Sequence, residues 1–151
     1  MCDHCGCREF APIAELTADH EQILSMAWAI VEAVRAGRPA DVDEVGRLVT
    51  LLDAHAAKEE FGLYPELMEL GELTEVACAV LEEEHRTIRA ALVEGHFGRR
   101  EYYALSAHIE VEEMELFSAA GYEFEEPEWV EMAAVHNAVD SGDRTAERTL
   151  Q

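Results

Sequence analysis

The sequence predicts an all-α protein, specifically an antiparallel up-down-up-down four-helix bundle with a short C-terminal helix. Four long stretches carry apolar residues at the three- and four-residue spacing of an amphipathic helix. Alanine, leucine and glutamate are abundant, and only 4 prolines and 9 glycines interrupt the chain. No stretch shows the alternating pattern of a strand. Short connections between helices of this length favour antiparallel neighbours.

Residues that start or stop helices mark the boundaries of each stretch. Pro12 and Gly37 flank the first helix, and Asp41 is placed to cap the second. Pro65 is expected to end or kink the second helix one turn early, and Gly121 to stop the fourth. The expected helices cover approximately residues 13–36, 42–70, 74–94, 99–120 and 127–139.

The length and composition indicate one soluble domain with two polar ends. A chain of 151 residues is long enough for a single core, and we divide it into a Cys-rich segment (1–12), the bundle (13–139) and a polar tail (140–151). The formal net charge of −22 argues against nucleic acid or an anionic membrane as a partner. Neither a signal-peptide pattern nor a membrane-spanning apolar stretch is present, which favours the cytoplasm.

Six polar residues occupy positions on the apolar stripes, where core residues are expected. Each long helix has one histidine on its stripe, and the second and fourth helices add a glutamate four residues later. These residues are His20, His55, Glu59, His85, His108 and Glu112. Burying unpaired carboxylates costs several kcal/mol each, so the predicted core needs cations or protons. A pair of metal ions meets this need, and the ligand types suit iron, manganese or zinc.

The ligand pattern belongs to an internal repeat. His55-x-x-x-Glu59 and His108-x-x-x-Glu112 are each followed by a second glutamate and then by a leucine-aromatic pair. The segment around His20 matches that around His85, because in both an acidic residue precedes the histidine and an isoleucine follows the histidine three residues later. Chance accounts for two His-x-x-x-Glu pairs, but it does not account for their shared register. The first two helices therefore look like a weak duplicate of the next two.

These residues resemble the ligand pattern of hemerythrin-like (HHE cation-binding) proteins of the four-His, two-Glu type, over approximately residues 13–120. The resemblance implies a non-haem di-iron centre with an oxo or hydroxo bridge. It also implies that Glu59 and Glu112 are bridging carboxylates. His20 and His55 would hold one iron, and the other two histidines the second.

One departure separates the chain from the oxygen-carrying hemerythrins that it resembles. Those proteins have a second histidine one turn after the ligand of the third helix, where this chain has Arg89, and a five-residue spacing on the fourth helix. The resemblance therefore lies closer to members associated with nitrosative-stress repair, iron sensing and peroxide chemistry. A ferritin-like site needs two Glu-x-x-His pairs, and only Glu82 with His85 fits. We interpret Glu82 to Glu84 as a solvated face.

The N-terminal segment is a second candidate site. Cys2, Cys5, Cys7 and His4 lie within six residues, which suits a zinc ion or a Cys2–Cys5 redox pair. The alternative is a terminus with no defined role. If it acts with the di-iron site, this segment could supply electrons or sense oxidation, and in a sensor it could contact a protein partner.

Other chemically capable residues are interpreted more simply. Cys78 is expected in the core, and His96 and His136 at the surface or in packing. The aromatic residues Trp28, Tyr64 and Phe117 are expected to cap the core; the alternative is an aromatic near the irons that gates access or relays an electron. Arg89 is expected to form an ion pair with a glutamate or to meet an anion.

The leading functional hypothesis is a di-iron protein that binds or reacts with O2, NO or peroxide, with peroxidase-like or NO-reducing activity as the enzymatic form. The alternative is an iron or oxygen sensor in which site occupancy orders the bundle. A third hypothesis is iron donation for repair of damaged clusters. The sequence does not decide among them, nor does it predict an oligomeric state.

Overall fold

The computed structural model describes residues 10–142, most of which lie in five helices, and these residues contain no strand. The predicted all-α class is confirmed.

Helices α1, α3 and α5 are uninterrupted, whereas α2 and α4 each contain one π-helical turn between two α-helical segments. The bounds are α1, Ala11–Arg35; α2, Val42–Lys58, Glu59–Leu63 (π) and Tyr64–Glu69; α3, Glu75–Glu94; α4, Arg99–Val111, Glu112–Leu116 (π) and Phe117–Glu123; and α5, Glu126–Asp140. Cys2, Cys5, Cys7 and His4 lie outside the described residues.

Side-chain caps and a left-handed glycine define the helix ends. The Asp41 carboxylate accepts a hydrogen bond from the Asp43 backbone N–H at 2.8 Å, and Thr74 Oγ1 accepts one from Ala77 at 3.1 Å. These contacts satisfy N–H groups that have no partner inside the first turn of α2 and α3. Gly95 ends α3 with φ of 80°, a conformation that glycine adopts without a steric penalty.

Two predicted stop signals act differently from the expectation. Helix α2 continues past Pro65 to Glu69, because a π-helical turn precedes the proline and Pro65 lies in the first turn of a new α-helical segment. At such a position a proline lacks only an N–H that would have had no partner. Helix α4 also continues through Gly121 and ends at Glu123. The expected stop at Gly121 was wrong, and of the two outcomes expected at Pro65, a helix end or a kink, the helix end is not observed.

The helices pack in neighbouring pairs around a common interior. Helix α1 contacts α2 and α4, and α3 contacts the same two helices. Helix α5 packs on α1, on α2 and on the π-helical turn of α2. One apolar cluster includes Leu16, Leu67 and Phe117, and a second includes Ile23 and Leu92. The candidate ligand positions fall between these clusters along each helix.

Within residues 10–142, no helix combines the length and the apolar character needed to cross a bilayer.

Candidate metal centre

The structure brings all six sequence-predicted ligands together in the interior. Each is buried, and both glutamates are fully inaccessible to solvent. They form two overlapping groups, each with two histidines and both glutamates, whose candidate ligand atoms lie within 4.8 Å of one another. The groups are His20, His55, Glu59 and Glu112, and Glu59, His85, His108 and Glu112. Such groups could each hold a metal ion, with both carboxylates shared.

Each glutamate approaches histidines of both groups. Glu59 Oε1 is 3.0 Å from His55 Nε2 and 3.3 Å from His85 Nε2. Glu112 Oε1 is 2.9 Å from His108 Nε2 and 3.5 Å from His20 Nε2. The i, i+4 spacing within α2 and α4 supplies the short contacts, and packing against α3 and α1 supplies the others. A carboxylate with imidazoles on both sides has the arrangement of a bridging ligand.

The donor set fits a cationic group, because several of its buried polar atoms have no hydrogen-bond partner. Both oxygens of Glu59, both ring nitrogens of His20, Oε1 of Glu112 and Nε2 of His55 are in this condition. Histidine nitrogen and glutamate oxygen atoms of the two groups approach one another as closely as 2.9 Å, but these contacts do not have the geometry of a hydrogen bond. An unpartnered buried polar group costs about 1–3 kcal/mol, and more when it is charged. Carboxylate and imidazole donors converging without other partners fit a metal cation.

A carboxylate lies beside the outward-facing Nδ1 atom of every candidate histidine ligand. Two contacts are short: His55 Nδ1 to Asp19 Oδ2 at 3.2 Å, and His108 Nδ1 to Glu84 Oε2 at 2.7 Å. Two are longer and are not hydrogen bonds. These are His20 Nδ1 to Glu113 Oε2 at 3.6 Å and His85 Nδ1 to Glu60 Oε1 at 3.8 Å.

These outer carboxylates follow the internal repeat. Asp19 and Glu84 each immediately precede a candidate histidine, and Glu60 and Glu113 each immediately follow a candidate glutamate. A carboxylate that accepts the Nδ1–H of a histidine fixes the ring and leaves Nε2 free to bind a metal. Glu84 remains partly exposed, as a solvated face requires, but its carboxylate is also hydrogen-bonded to His108, which the sequence interpretation did not include.

Both π-helical turns begin at a candidate bridging glutamate. They cover Glu59–Leu63 and Glu112–Leu116, at the same offset from the histidine of each repeat. A π-helical turn widens the backbone locally and occurs frequently at functional sites. Only α2 has a proline after its turn, so the shared cause is the repeated motif and not Pro65. The last residue of each turn, a leucine, and the aromatic residue that follows it are both buried in the core.

The aromatic residues that follow the turns lie against the site and are not caps at the end of the core. Tyr64 and Phe117 are both fully buried. The ring of Tyr64 stacks on His85 with a centroid separation of 6.2 Å, and that of Phe117 stacks on His20 at 5.4 Å. The Tyr64 hydroxyl donates a hydrogen bond to Glu112 Oε2 at 2.7 Å. Phe117 has no hydroxyl to offer Glu59, so the repeat is asymmetric at this position.

Without a metal ion, protons are the cations available to these carboxylates. Burial opposes a charged imidazole, but contacts with Glu112 and Glu113 outweigh it and raise the pKa of His20 to about 10. Glu59 and Glu60 likewise raise the pKa of His85 to about 10 against the effect of burial. Positive charge is therefore strongly favoured beside these buried carboxylates, whose negative charge a metal ion would also neutralise.

The remaining sequence-predicted residues lie outside this centre. Cys78 is buried in the core, as expected, and His96 is exposed beside Glu94. His136 is buried and contacts Glu15 through Nδ1 at 3.1 Å. Arg89 pairs with Asp53 across α2 and α3 at 2.8 Å, so its partner is an aspartate and not the expected glutamate.

Trp28 contacts the ring of Tyr102 with a centroid separation of 5.0 Å and lies against the second apolar cluster.

Comparison with known proteins gives no match, whether to family models, to curated proteins or to solved structures. The case for function therefore rests on the residues and their geometry.

Proposed function

We propose that this chain is a hemerythrin-like four-helix bundle that binds two metal ions in its interior. In this proposal the ions are iron with an oxo or hydroxo bridge, and the protein acts in the cytoplasm. Its function is to bind or react with a small oxidant or diatomic molecule, namely O2, NO or peroxide. The cyclic contacts of α1 to α4 and the two shared-carboxylate groups support the proposal.

The observation that carries the proposal is the sharing of Glu59 and Glu112 between both ligand groups. A single metal ion would use one group and leave the two histidines of the other beside unpartnered buried carboxylate oxygens. Two ions give every candidate histidine a role and place a cation beside each carboxylate. His20 and His55 would hold one ion, and His85 and His108 the other.

The surrounding residues orient these ligands. Asp19 and Glu84 hold the rings of His55 and His108 through Nδ1, and Tyr64 fixes one oxygen of Glu112. Four protein ligands per ion would leave room for a bridge and for an external molecule, since iron commonly accepts more than four. An iron pair, when bound, supplies electrons for a redox change in a small molecule.

Metal analysis with optical spectroscopy tests the proposal. Protein reconstituted with ferrous iron under anaerobic conditions and then exposed to air should contain two irons per chain. It should also show near-ultraviolet oxo-bridge absorption that dithionite removes. Adding air, NO or peroxide to the reduced protein then identifies the reactive molecule. Zinc alone in protein purified natively, together with no iron uptake, would contradict the redox proposal.

Ligand variants separate specific binding from adventitious iron. His55→Ala and His108→Ala each remove one histidine from a different group and should lower the iron content to one per chain or less. His96→Ala is the matched control, because His96 is exposed and belongs to neither group. Equal iron loss in all three variants would show that the binding is nonspecific.

A further inference from the structure

A cleft lies between α3 and α4 on one side of the candidate metal centre. Its volume is about 470 Å3, and its lining is mainly aliphatic. Val80, Thr87, Ala104 and Val111 line the cleft together with the hydrogen-bonded pair Glu84 and His108. Val80 and Val111 are 52% and 41% exposed, so two apolar side chains remain open to solvent above a candidate ligand. Exposed apolar surface that adjoins a polar site is typical of ligand-binding surfaces.

The internal repeat places charged residues at the corresponding positions between α1 and α2. Aligning His20 with His85 pairs Glu15 with Val80, and aligning His55 with His108 pairs Lys58 with Val111. Glu15 and Lys58 form an ion pair, and Lys58 is only 5% exposed.

Helix α5 covers this ion pair. Asp140 contacts Lys58 at 2.9 Å, and His136 contacts Glu15 at 3.1 Å. Leu51 also stands where the second repeat has the smaller Ala104. The two repeats therefore differ on corresponding surfaces. Beside His108 the surface is an open apolar cleft, whereas beside His55 it is closed by the ion pair and by α5.

We propose that the α3–α4 cleft, which is lined by His108, is a binding site through which a small uncharged molecule reaches the His85/His108 half of the centre. The inference rests on the proposed metal-binding function and adds which half is reachable. The His20/His55 half lies behind the Glu15–Lys58 pair and α5, so it is the enclosed half.

The charge of the surroundings selects the ligand class. The residues that line the cleft include Glu83 and Glu84 but no lysine or arginine, and the whole chain carries a formal net charge of −22. An anion would be repelled at this surface, whereas an uncharged diatomic such as dioxygen or nitric oxide would not. Aliphatic walls also favour apolar molecules over strongly hydrated ones.

A variant that copies the first repeat into the second tests the cleft. Val80→Glu, Val111→Lys and Ala104→Leu reproduce Glu15, Lys58 and Leu51 without changing the net charge. Lysine is compatible with the position before a bridging glutamate, because Lys58 already precedes Glu59. The matched control is Val76→Glu with Val93→Lys, at two exposed valines of α3 that do not line the cleft. Metal content is measured first in the original chain and in both variants.

The first measurement on the metal-loaded proteins is nitric oxide association with the reduced iron form, followed by stopped flow. The closed variant should bind NO at least about tenfold more slowly, which corresponds to about 1.4 kcal/mol of added barrier. The control should bind at the original rate. An unchanged rate in a fully metal-loaded closed variant would overturn the proposal.

The second measurement does not depend on iron chemistry. In the zinc-loaded chain, dissolved dioxygen should broaden the methyl resonance of Ala104 or Ala107 more than that of Ala134, which is exposed on α5. Equal broadening of all three would show that the cleft does not concentrate dioxygen and would also overturn the proposal. Failure of the original chain to bind metal would instead contradict the proposed function.

Discussion

The hydroxyl of Tyr64 should contribute measurably to stability and to metal affinity. It donates a 2.7 Å hydrogen bond to Glu112 Oε2 from a fully buried ring. Tyr64→Phe removes this donor with little change in shape, leaving that carboxylate oxygen without the bond. Because a buried hydrogen bond to a charged group contributes about 1.5–3 kcal/mol, we expect that loss in the metal-free protein. Tyr122→Phe is the matched control, since Tyr122 is 70% exposed.

Urea unfolding of chelator-treated protein measures this effect. With a slope of about 1–3 kcal/mol per molar urea, a loss of about 2 kcal/mol moves the midpoint by roughly 1 M. The slope itself should not change, because the substitution alters one contact and not the surface exposed on unfolding. The control should stay within about 0.5 kcal/mol of the original protein. If Tyr64→Phe is equally neutral, the hydrogen bond does not stabilise the site.

Metal titration of the same variant distinguishes orientation of Glu112 from simple stability. Removing a group that orients a metal ligand typically costs about 10- to 100-fold in metal affinity, and we expect a loss in this range. Unchanged affinity would mean that Glu112 keeps its position without Tyr64.

Three further predictions concern the neighbours of the centre. Glu84→Gln weakens the acceptor for His108 Nδ1 and should lower metal affinity by about 10- to 100-fold, measured by competition with a chelator. In metal-free protein the pKa values of His20 and His85 are raised from 6.5 to about 10. Their stabilising contribution is therefore complete below about pH 6.5 and is lost as the pH rises toward 10, so the urea midpoint should fall over this range. A midpoint that rises would contradict this assignment. Lys58→Met should cost about 1 kcal/mol in urea unfolding, because its partly exposed partners remain solvated.

The sequence was sufficient to predict the helices and the six residues that meet in the interior. Apolar periodicity and capping residues define the helices, and a histidine such as His20 or His85 on an apolar stripe points inward whatever the details of packing. These features depend on local geometry, which a helix of known register fixes. How the histidines pair was implied by the resemblance to hemerythrin-like proteins.

The outer carboxylates and the π-helical turns could not be predicted in the same way. The chain has 33 acidic residues, and apolar periodicity does not distinguish Glu84 or Asp19 from residues that face solvent. Their positions immediately before candidate histidines were a usable signal for the carboxylates, and the repeated leucine-aromatic pair was a usable signal for the end of each turn. The π-helical turns shift the register by an amount that apolar periodicity does not detect. The face covered by α5 depends on tertiary contacts of Lys58 and His136.

Differences between the two halves of the centre must arise outside the ligand set. Each half offers two histidines and the same two glutamates, so the donors alone give the two positions the same chemistry. The repeat is broken instead at their neighbours: Tyr64 against Phe117, Lys58 against Val111 and Glu15 against Val80. The first pair gives a hydrogen bond to one bridging carboxylate only, and the other two close one surface and leave the other open. Any division of roles between the two positions therefore depends on differences of this kind, and exchanging these three pairs and the Leu51–Ala104 pair one at a time would show which pair controls affinity and which controls access.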